Sequence, residues 1–388
     1  MAMQGSSSLL WKVWITALLC LAGLGIFLYF EQFTPGYHHN IGLSRDVSWG
    51  LHIAQFTFFV GVAASAVVLL LPAYLHHYEN FRPILLLGEI LAVTALLISA
   101  LFILVDLGQP QRVFNFLFHP APRSLLFWDM VVIGGYLLLS LCIARYTWDS
   151  RRLDAAPPDW LKKAIYLSIF WAFFIHTVTA LIYCALPGRH YWLTAIMAAR
   201  FLASAFCSGP AILLLLLLLL KRLTGFDPAK EALRGLTIII VYALGANIFF
   251  FLLEVFTALY SGIPGHAHPM AFLFAMPEHW PTWAMRAAAL MALAAFFLLA
   301  LPATRRNTTL MPLGLCLLVA ATWIDKGLII MVAGFTPNAF GRITPYTPSS
   351  WEWGMAFGLY ALGALIVSVL WRHVVRMELG RQNNKDVV

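Results

Sequence analysis

An all-α polytopic membrane protein, crossing the bilayer about ten times with almost no mass outside it, is the fold class this sequence predicts. Three observations predict it. The 388-residue chain is 61% hydrophobic and only 11% charged, where a soluble domain carries about 25% charged and roughly 45–50% apolar residues. The apolar residues fall into runs of about 20 or more, long enough to cross ~30 Å of hydrocarbon as helix. No stretch between the runs approaches the ~100–200 residues of a separate soluble domain. In lipid every backbone group must be satisfied within the segment or a closed barrel, so apolar runs of this length are helices.

Taken in order, the runs bounded by Pro, Gly and charges place helices at 9–30, 50–76, 83–105, 124–146, 160–186, 192–221, 234–260, 281–304, 309–334 and 350–374. The first run is longer than the ~7–15 residues of a secretory h-region, and no A-x-A-like site follows it, so it reads as a spanning helix. Tryptophans stand near many of the ends (Trp11, Trp49, Trp160, Trp192, Trp280, Trp351, Trp371), as interfacial aromatic belts do. Helix 2 carries Phe-Val-Gly-Val-Ala-Ala-Ser-Ala (59–66) and helix 6 carries Phe-Leu-Ala-Ser-Ala-Phe-Cys-Ser-Gly (201–209). Each is followed two helices later by a Pro-rich connection. The chain then reads as one membrane domain: a flanking helix 9–30, a first four-helix bundle 50–186, a parallel-related second bundle 192–334, a last helix 350–374 and a cytoplasmic tail 375–388. Small residues at those positions also suit close helix contacts in any membrane protein.

The formal charge of +8 does not point to nucleic acid, because the basic residues form no single stripe. They gather on one side. The termini and the connections after helices 2, 4, 6 and 8 hold Lys12, Arg82, Arg145, Arg151, Arg152, Lys162, Lys163, Lys221, Arg222, Lys230, Arg234, Arg305, Arg306, Arg372, Arg376, Arg381 and Lys385, 17 residues. The other side holds six: Arg45, Arg112, Arg123, Arg189, Arg286 and Arg342. Positive charge stays inside, so both termini are expected in the cytoplasm and the chain in the cytoplasmic (inner) membrane of a prokaryote, against lipid. The outward connections (Glu31–Trp49, Asp106–Arg123, Gly262–Pro281 and Gly334–Ser350) are richer in Pro, Gly and His than the inward ones. They read as shaped loops, a dock or the roof of a site, or as stiff connectors alone.

Ionisable groups at membrane depth are costly and are usually paired or line a polar path. They are His52 and Gln55 on helix 2, Glu89 on helix 3, Asp129 on helix 4, His176 on helix 5, Arg200 on helix 6, Glu254 on helix 7, and Asp325 with Lys326 on helix 9. At ~1.5 Å per residue, His52, Gln55, Asp129 and Glu254 fall in the outer half, with Asp106 at the outer end of helix 3. His176, Arg200, Asp325 and Lys326 lie nearer the middle, and Glu89 toward the cytoplasm. Three readings compete: structural ion pairs, such as Arg200 or Lys326 with Glu254 or Asp325; haem axial ligation by His52 and His176; and a quinone site with buried groups behind it. The five cysteines show no C-x-x-C spacing, which argues against a cluster or zinc held by this chain alone. No metal ligand set is expected.

The segment Asp106-Leu-Gly-Gln-Pro-Gln-Arg-Val-Phe-Asn-Phe-Leu-Phe-His-Pro-Ala-Pro-Arg-Ser-Leu-Leu-Phe-Trp-Asp129, with Ser48-Trp-Gly-Leu-His-Ile-Ala-Gln-Phe on helix 2, resembles the NrfD/PsrC family of polysulfide-reductase-type membrane subunits. Leu71-Pro-Ala-Tyr-Leu-His-His77 and Leu87-Gly-Glu89 look closest to its ten-helix branch, which includes DsrP, HmcC and QrcD, DsrP above all. The resemblance is specific over about residues 45–145 and looser beyond. It implies a subunit that exchanges electrons with menaquinone near the outer face and holds no haem or iron–sulfur cluster itself. It implies partners too: an extracytoplasmic ferredoxin-like iron–sulfur subunit, a multihaem cytochrome c, and further membrane or cytoplasmic redox subunits of sulfur or sulfate metabolism. The quinone head group is expected under the 106–123 loop, among His52, Gln55, Asp106, Arg112, His119 and Asp129. Glu89, His176, Arg200, Glu254, Asp325 and Lys326 then form a proton path or structural pairs. A secondary transporter and a purely structural anchor for redox proteins are the competing functions; a transporter favours helices broken at mid-membrane, whereas the strongest interruptions here lie in loops, Pro72 and Pro210 excepted.

Overall fold

The computed structural model describes residues 2–33, 42–76, 78–153, 158–338, 340–344 and 346–385, and among them it holds helices and no strand. Ten helices are long and apolar enough to cross a membrane. They are Leu9–Glu31 (span 1), Leu51–Leu75 (span 2), Glu79–Asp106 (span 3), Leu125–Leu153 (span 4), Asp159–Cys184 (span 5), Ile196–Thr224 (span 6), Lys230–Ser261 (span 7), Trp280–Ala300 (span 8), Leu310–Phe335 (span 9) and Ser350–Gly380 (span 10). Each overlaps the run that predicts it. The charged ends differ: span 4 continues to Leu153, span 7 starts at Lys230, and the last helix runs on to Lys385, through most of the expected tail 375–388. Hydropathy marks where the chain is immersed, whereas Arg, Glu and Lys prolong a helix readily beyond the interface. The connection from 262 to 281 holds a further helix, Pro264–Ala275, with proline in its first turn, where its missing N–H costs nothing. Within the connection 31–49, residues 34–41 lie outside the described residues.

Neighbour relations follow chain order. Spans 2, 3, 4 and 5 close one ring of contacts and spans 6, 7, 8 and 9 a second. The rings meet where span 2 packs on spans 6 and 9, and span 5 on span 6. Span 10 lies against spans 2 and 3, and span 1 against span 10.

Glycines set the closest crossings. A Cβ on Gly25 would sit 2.7 Å from Gly358 Cα, which fixes span 1 against span 10. A Cβ on Gly209 would sit 2.8 Å from Val62 O, 3.0 Å from Ser65 N and 3.1 Å from Gly61 O. The two small-residue runs, 59–66 and 201–209, are therefore the surfaces on which the rings touch, backbone against backbone.

Two spans are interrupted at this level. Span 2 breaks at Ala63 between helices Leu51–Val62 and Ala64–Leu75, and span 9 carries a π-helical turn over Asp325–Ile329. Gly61 stands two residues before the first break and Gly327 within the second, so helix interruptions occur within spans as well as in the Pro- and Gly-rich loops. Such π turns frequently mark functional positions.

Candidate functional site

Span 2 begins at Leu51, at the end of the molecule that carries the Pro-rich connections. His52 and Gln55 are three residues apart and share one face of it. Both are buried. His52 Nε2 lies 3.3 Å from the backbone oxygen of Glu352 on span 10, and Nδ1 lies 3.7 Å from Asp106 Oδ1 at the end of span 3. A carbonyl only accepts, so Nε2 carries the hydrogen, and in a neutral ring Nδ1 is the bare acceptor. At 3.7 Å it is beyond hydrogen-bond range of Asp106. A hydroxyl placed there could donate its one hydrogen to Nδ1 at about 2.8 Å, with the Asp106 carboxylate beside it. Gln55 donates to Gly327 O of span 9 at 2.6 Å and accepts from Trp323 Nε1 at 3.0 Å, while Trp323 also approaches Tyr360 Oη of span 10 at 3.3 Å. Aromatic rings line the same face: Phe102 near His52, with Phe59 and Tyr360 packed against Phe102.

The wall opposite span 3 comes from the connection 336–349 and the start of span 10, which are absent from the expected site. Tyr346 Oη donates to Glu352 Oε1 at 2.7 Å and accepts the Leu51 N–H at 2.7 Å. Glu352 Oε2 accepts from Gly42 N at 3.0 Å and Ser349 N at 2.8 Å. Burial, then the adjacent carboxylate, push the Tyr346 phenol well above its usual range. One signal existed: Ser349-x-x-Glu352 is a capping-box pattern, with Glu352 N donating back to Ser349 Oγ at 3.2 Å.

The other expected members of the site are placed elsewhere. Asp129 is buried, but it accepts from Thr179 Oγ1 of span 5 at 2.7 Å and faces that helix. Tyr183 stands between the two places: it hydrogen-bonds Thr57 and is within electrostatic reach of both Asp129 and Asp106. Thr57 is about 140° around span 2 from His52 at 3.6 residues per turn, so span 2 itself separates the two groups. Arg112 and His119 are exposed on the 107–124 connection. The structure does not bring them to His52.

At the junction of the rings lies a second cluster. Arg200 pairs with Glu254, and with Asp325 through both carboxylate oxygens at 3.1 and 3.0 Å. Lys326 is buried, donates to Phe201 O at 3.3 Å, and lies over the Phe201 ring. Its Nζ would be 3.3 Å from a Cβ on Gly61, so it lies against span 2 two residues before the break. A cavity of about 10 Å³, lined by Arg200, Asn247, Asp325 and Lys326, holds roughly one water. A second, of about 40 Å³, lies between spans 7, 8 and 9, against Asn247, Asp325 and an alanine-rich wall. Among the described residues, Glu254 Oε1 and Asn247 Oδ1 have no hydrogen-bond partner.

His176 Nδ1 contacts Ala172 O at 2.5 Å, and the ring lies against Val60 and within reach of Lys326. Val60 is eight residues beyond His52, about 12 Å along the helix, so one iron cannot bridge the two histidines. Glu89 is buried toward the basic end, beside Thr147 and Arg151. Among the described residues, no three His, Cys, Asp or Glu side chains converge as metal ligands.

The comparisons with known proteins agree with this architecture. The chain is 25% identical to a putative membrane subunit of a dimethyl sulfoxide reductase from Halobacterium salinarum, covering 91% of this chain and 88% of that protein. It is 23% identical to a selenate reductase subunit of Mesobacillus selenatarsenatis, covering 92% of each. It is 22% identical to an Hdr-like menaquinol oxidoreductase integral membrane subunit of Archaeoglobus fulgidus, covering 92% and 91%. The family model described as polysulphide reductase, NrfD, matches residues 39–339, and the chain belongs to that family.

Proposed function

We propose that this multi-pass subunit exchanges electrons between menaquinone and an extracytoplasmic ferredoxin-like iron–sulfur partner, with the quinone head group at His52, Gln55 and Asp106. The chain is a membrane subunit of the kind found in quinone-linked oxidoreductase complexes. The observation that carries the finer reading is His52, with Nδ1 facing Asp106 Oδ1 at 3.7 Å and Nε2 against the Glu352 carbonyl. In quinol oxidation, His52 Nδ1 takes the proton of a quinol hydroxyl, and Asp106 stabilises the imidazolium that forms. The quinol releases its second proton to water at the outer face and passes two electrons to the iron–sulfur partner; quinone reduction runs the same steps backward. Gln55 and Trp323 orient the ring, and Phe59, Phe102 and Tyr360 give it apolar surface. Asp129 lies beside Thr179 on the far side of span 2, and with Glu89, His176 and the Arg200 cluster it serves in this reading as proton relay or structural support.

The charge asymmetry supports this end as the outer one, with both termini in the cytoplasm. The 107–124 connection exposes Phe114, Leu117 and Phe118 between Arg112 and Arg123. An apolar patch of that kind on a loop supports a docked partner. The wider assembly in this reading includes a multihaem cytochrome c and serves sulfur metabolism, on the DsrP-like branch.

The breaks in spans 2 and 9 favour a second reading, a secondary transporter. Against it, Lys326 lies against Gly61, Gly209 closes the crossing, and the cavities at the span 9 turn are only about 10 and 40 Å³, too small for a solute. Native purification, with mass spectrometry of retained subunits and extracted quinone, tests the proposal: a naphthoquinone and an iron–sulfur subunit are expected. Solute uptake by the isolated chain, with neither retained, would establish the transporter instead.

A further inference from the structure

Glu352 is 1% exposed at the start of span 10, beyond residues 39–339 that match the family model. Part of its bonding is an ordinary capping box, and that needs one carboxylate oxygen. Oε2 serves the cap and Gly42 N. Oε1 is turned away to Tyr346 Oη, which receives the Leu51 N–H at the first turn of span 2. The next residue is His52, whose Nε2 returns to Glu352 O at 3.3 Å. The bonds close a loop from the Glu352 side chain, through Tyr346 and the first turn of span 2, back to the Glu352 carbonyl. Trp280 Nε1 holds Tyr346 O at 3.1 Å from outside the loop.

We propose that Glu352 and Tyr346 are positioning residues for His52: they tie span 10 to the start of span 2 so that the Glu352 carbonyl fixes the Nε2–H tautomer and leaves Nδ1 open toward Asp106. Neither touches the substrate. Without the latch, the Leu51 N–H loses its acceptor and the carbonyl is free to drift from Nε2. The ring can then adopt the other tautomer, whose Nδ1–H cannot take a proton. This role rests on the quinone reading of His52.

The test measures menadiol oxidation by the natively purified complex, with excess ferricyanide as electron acceptor and rates expressed per assembled complex. Tyr346→Phe and Glu352→Gln are each expected to lower kcat about ten- to hundredfold, the scale of an ångström-level misplacement, with KM within about threefold. In a His52→Gln background the same changes should cost less than about twofold, because residues acting as one unit are not additive. Single variants at parental kcat, or equal losses in both backgrounds, would overturn the latch. If His52→Gln itself turns over at the parental rate, the quinone site is wrong and the latch goes with it. If only the latch variants are silent, the latch alone fails. Should Glu352→Gln not assemble because the cap is lost, Tyr346→Phe decides, since it leaves the cap intact.

Discussion

Replacing Arg200 by methionine strands two carboxylates. The Arg200 and Glu254 side chains are 7% and 8% exposed and Asp325 is 18%, so water replaces little of what the guanidinium supplies. Removing one partner of such a buried group costs about 3–5 kcal/mol, a large share of the roughly 5–15 kcal/mol that holds a domain folded. Compensation within the cluster leads to a second, sharper prediction. A triple variant, Arg200→Met with Glu254→Gln and Asp325→Asn, removes the stranded charges and should recover most of the loss, because the cluster's value is mutual compensation rather than net attraction. Unfolding in mixed micelles by titrated sodium dodecyl sulfate, followed by tryptophan fluorescence, reads all three proteins. If Arg200→Met is as stable as the parent, or the triple variant no better than the single, the cluster is not the compensated unit described here.

Gly209→Ala should destabilise by about 1–2 kcal/mol in the same assay: overpacking against backbone falls at the upper end of its range, roughly 2–3 kcal/mol, against a propensity gain near 1 kcal/mol. All three atoms a Cβ would meet are backbone, so no side chain can swing aside; an unchanged or higher stability would contradict the close crossing. Raising pH should weaken the parent more steeply than Tyr346→Phe. The Tyr346 phenol is pushed up in the fold by burial and by Glu352, so its contribution is complete below the ordinary value near 10 and is lost as pH climbs toward the folded value. Stability measured across roughly pH 8 to 11 should converge for the two proteins, and parallel curves would refute the buried phenol.

The spans were legible because lipid imposes one requirement, a long apolar helix, that composition reports directly. Their charged ends were not, since Lys230 and Arg151 extend helices by propensity rather than by immersion. His52, Gln55 and Asp106 were legible as a group because they are polar groups at one end of the bundle, and a pattern match pointed to the same end. Asp129 was read into that group by its depth and by the motif segment that it closes. Depth carries no azimuth, and Thr179 on span 5 claims it. Arg112 and His119 came from a loop motif, and a loop's fold is not written in its hydropathy. Tyr346 and Glu352 lie about 300 residues from Leu51 and His52, so only the packing of span 10 against spans 2 and 3 brings them there. The break at Ala63 lies at the crossing with Gly209, a place that hydropathy along span 2 does not report.

Photoaffinity labelling with an azido-naphthoquinone in native membranes, followed by peptide mapping, tests the location of the chemistry most directly. Label is expected on peptides from the start of span 2, the end of span 3 and the 340–360 region, and it should be lost in His52→Gln. Label confined to spans 7, 8 and 9, beside the cavity at Asn247, would place the quinone in the other ring of helices and contradict the account.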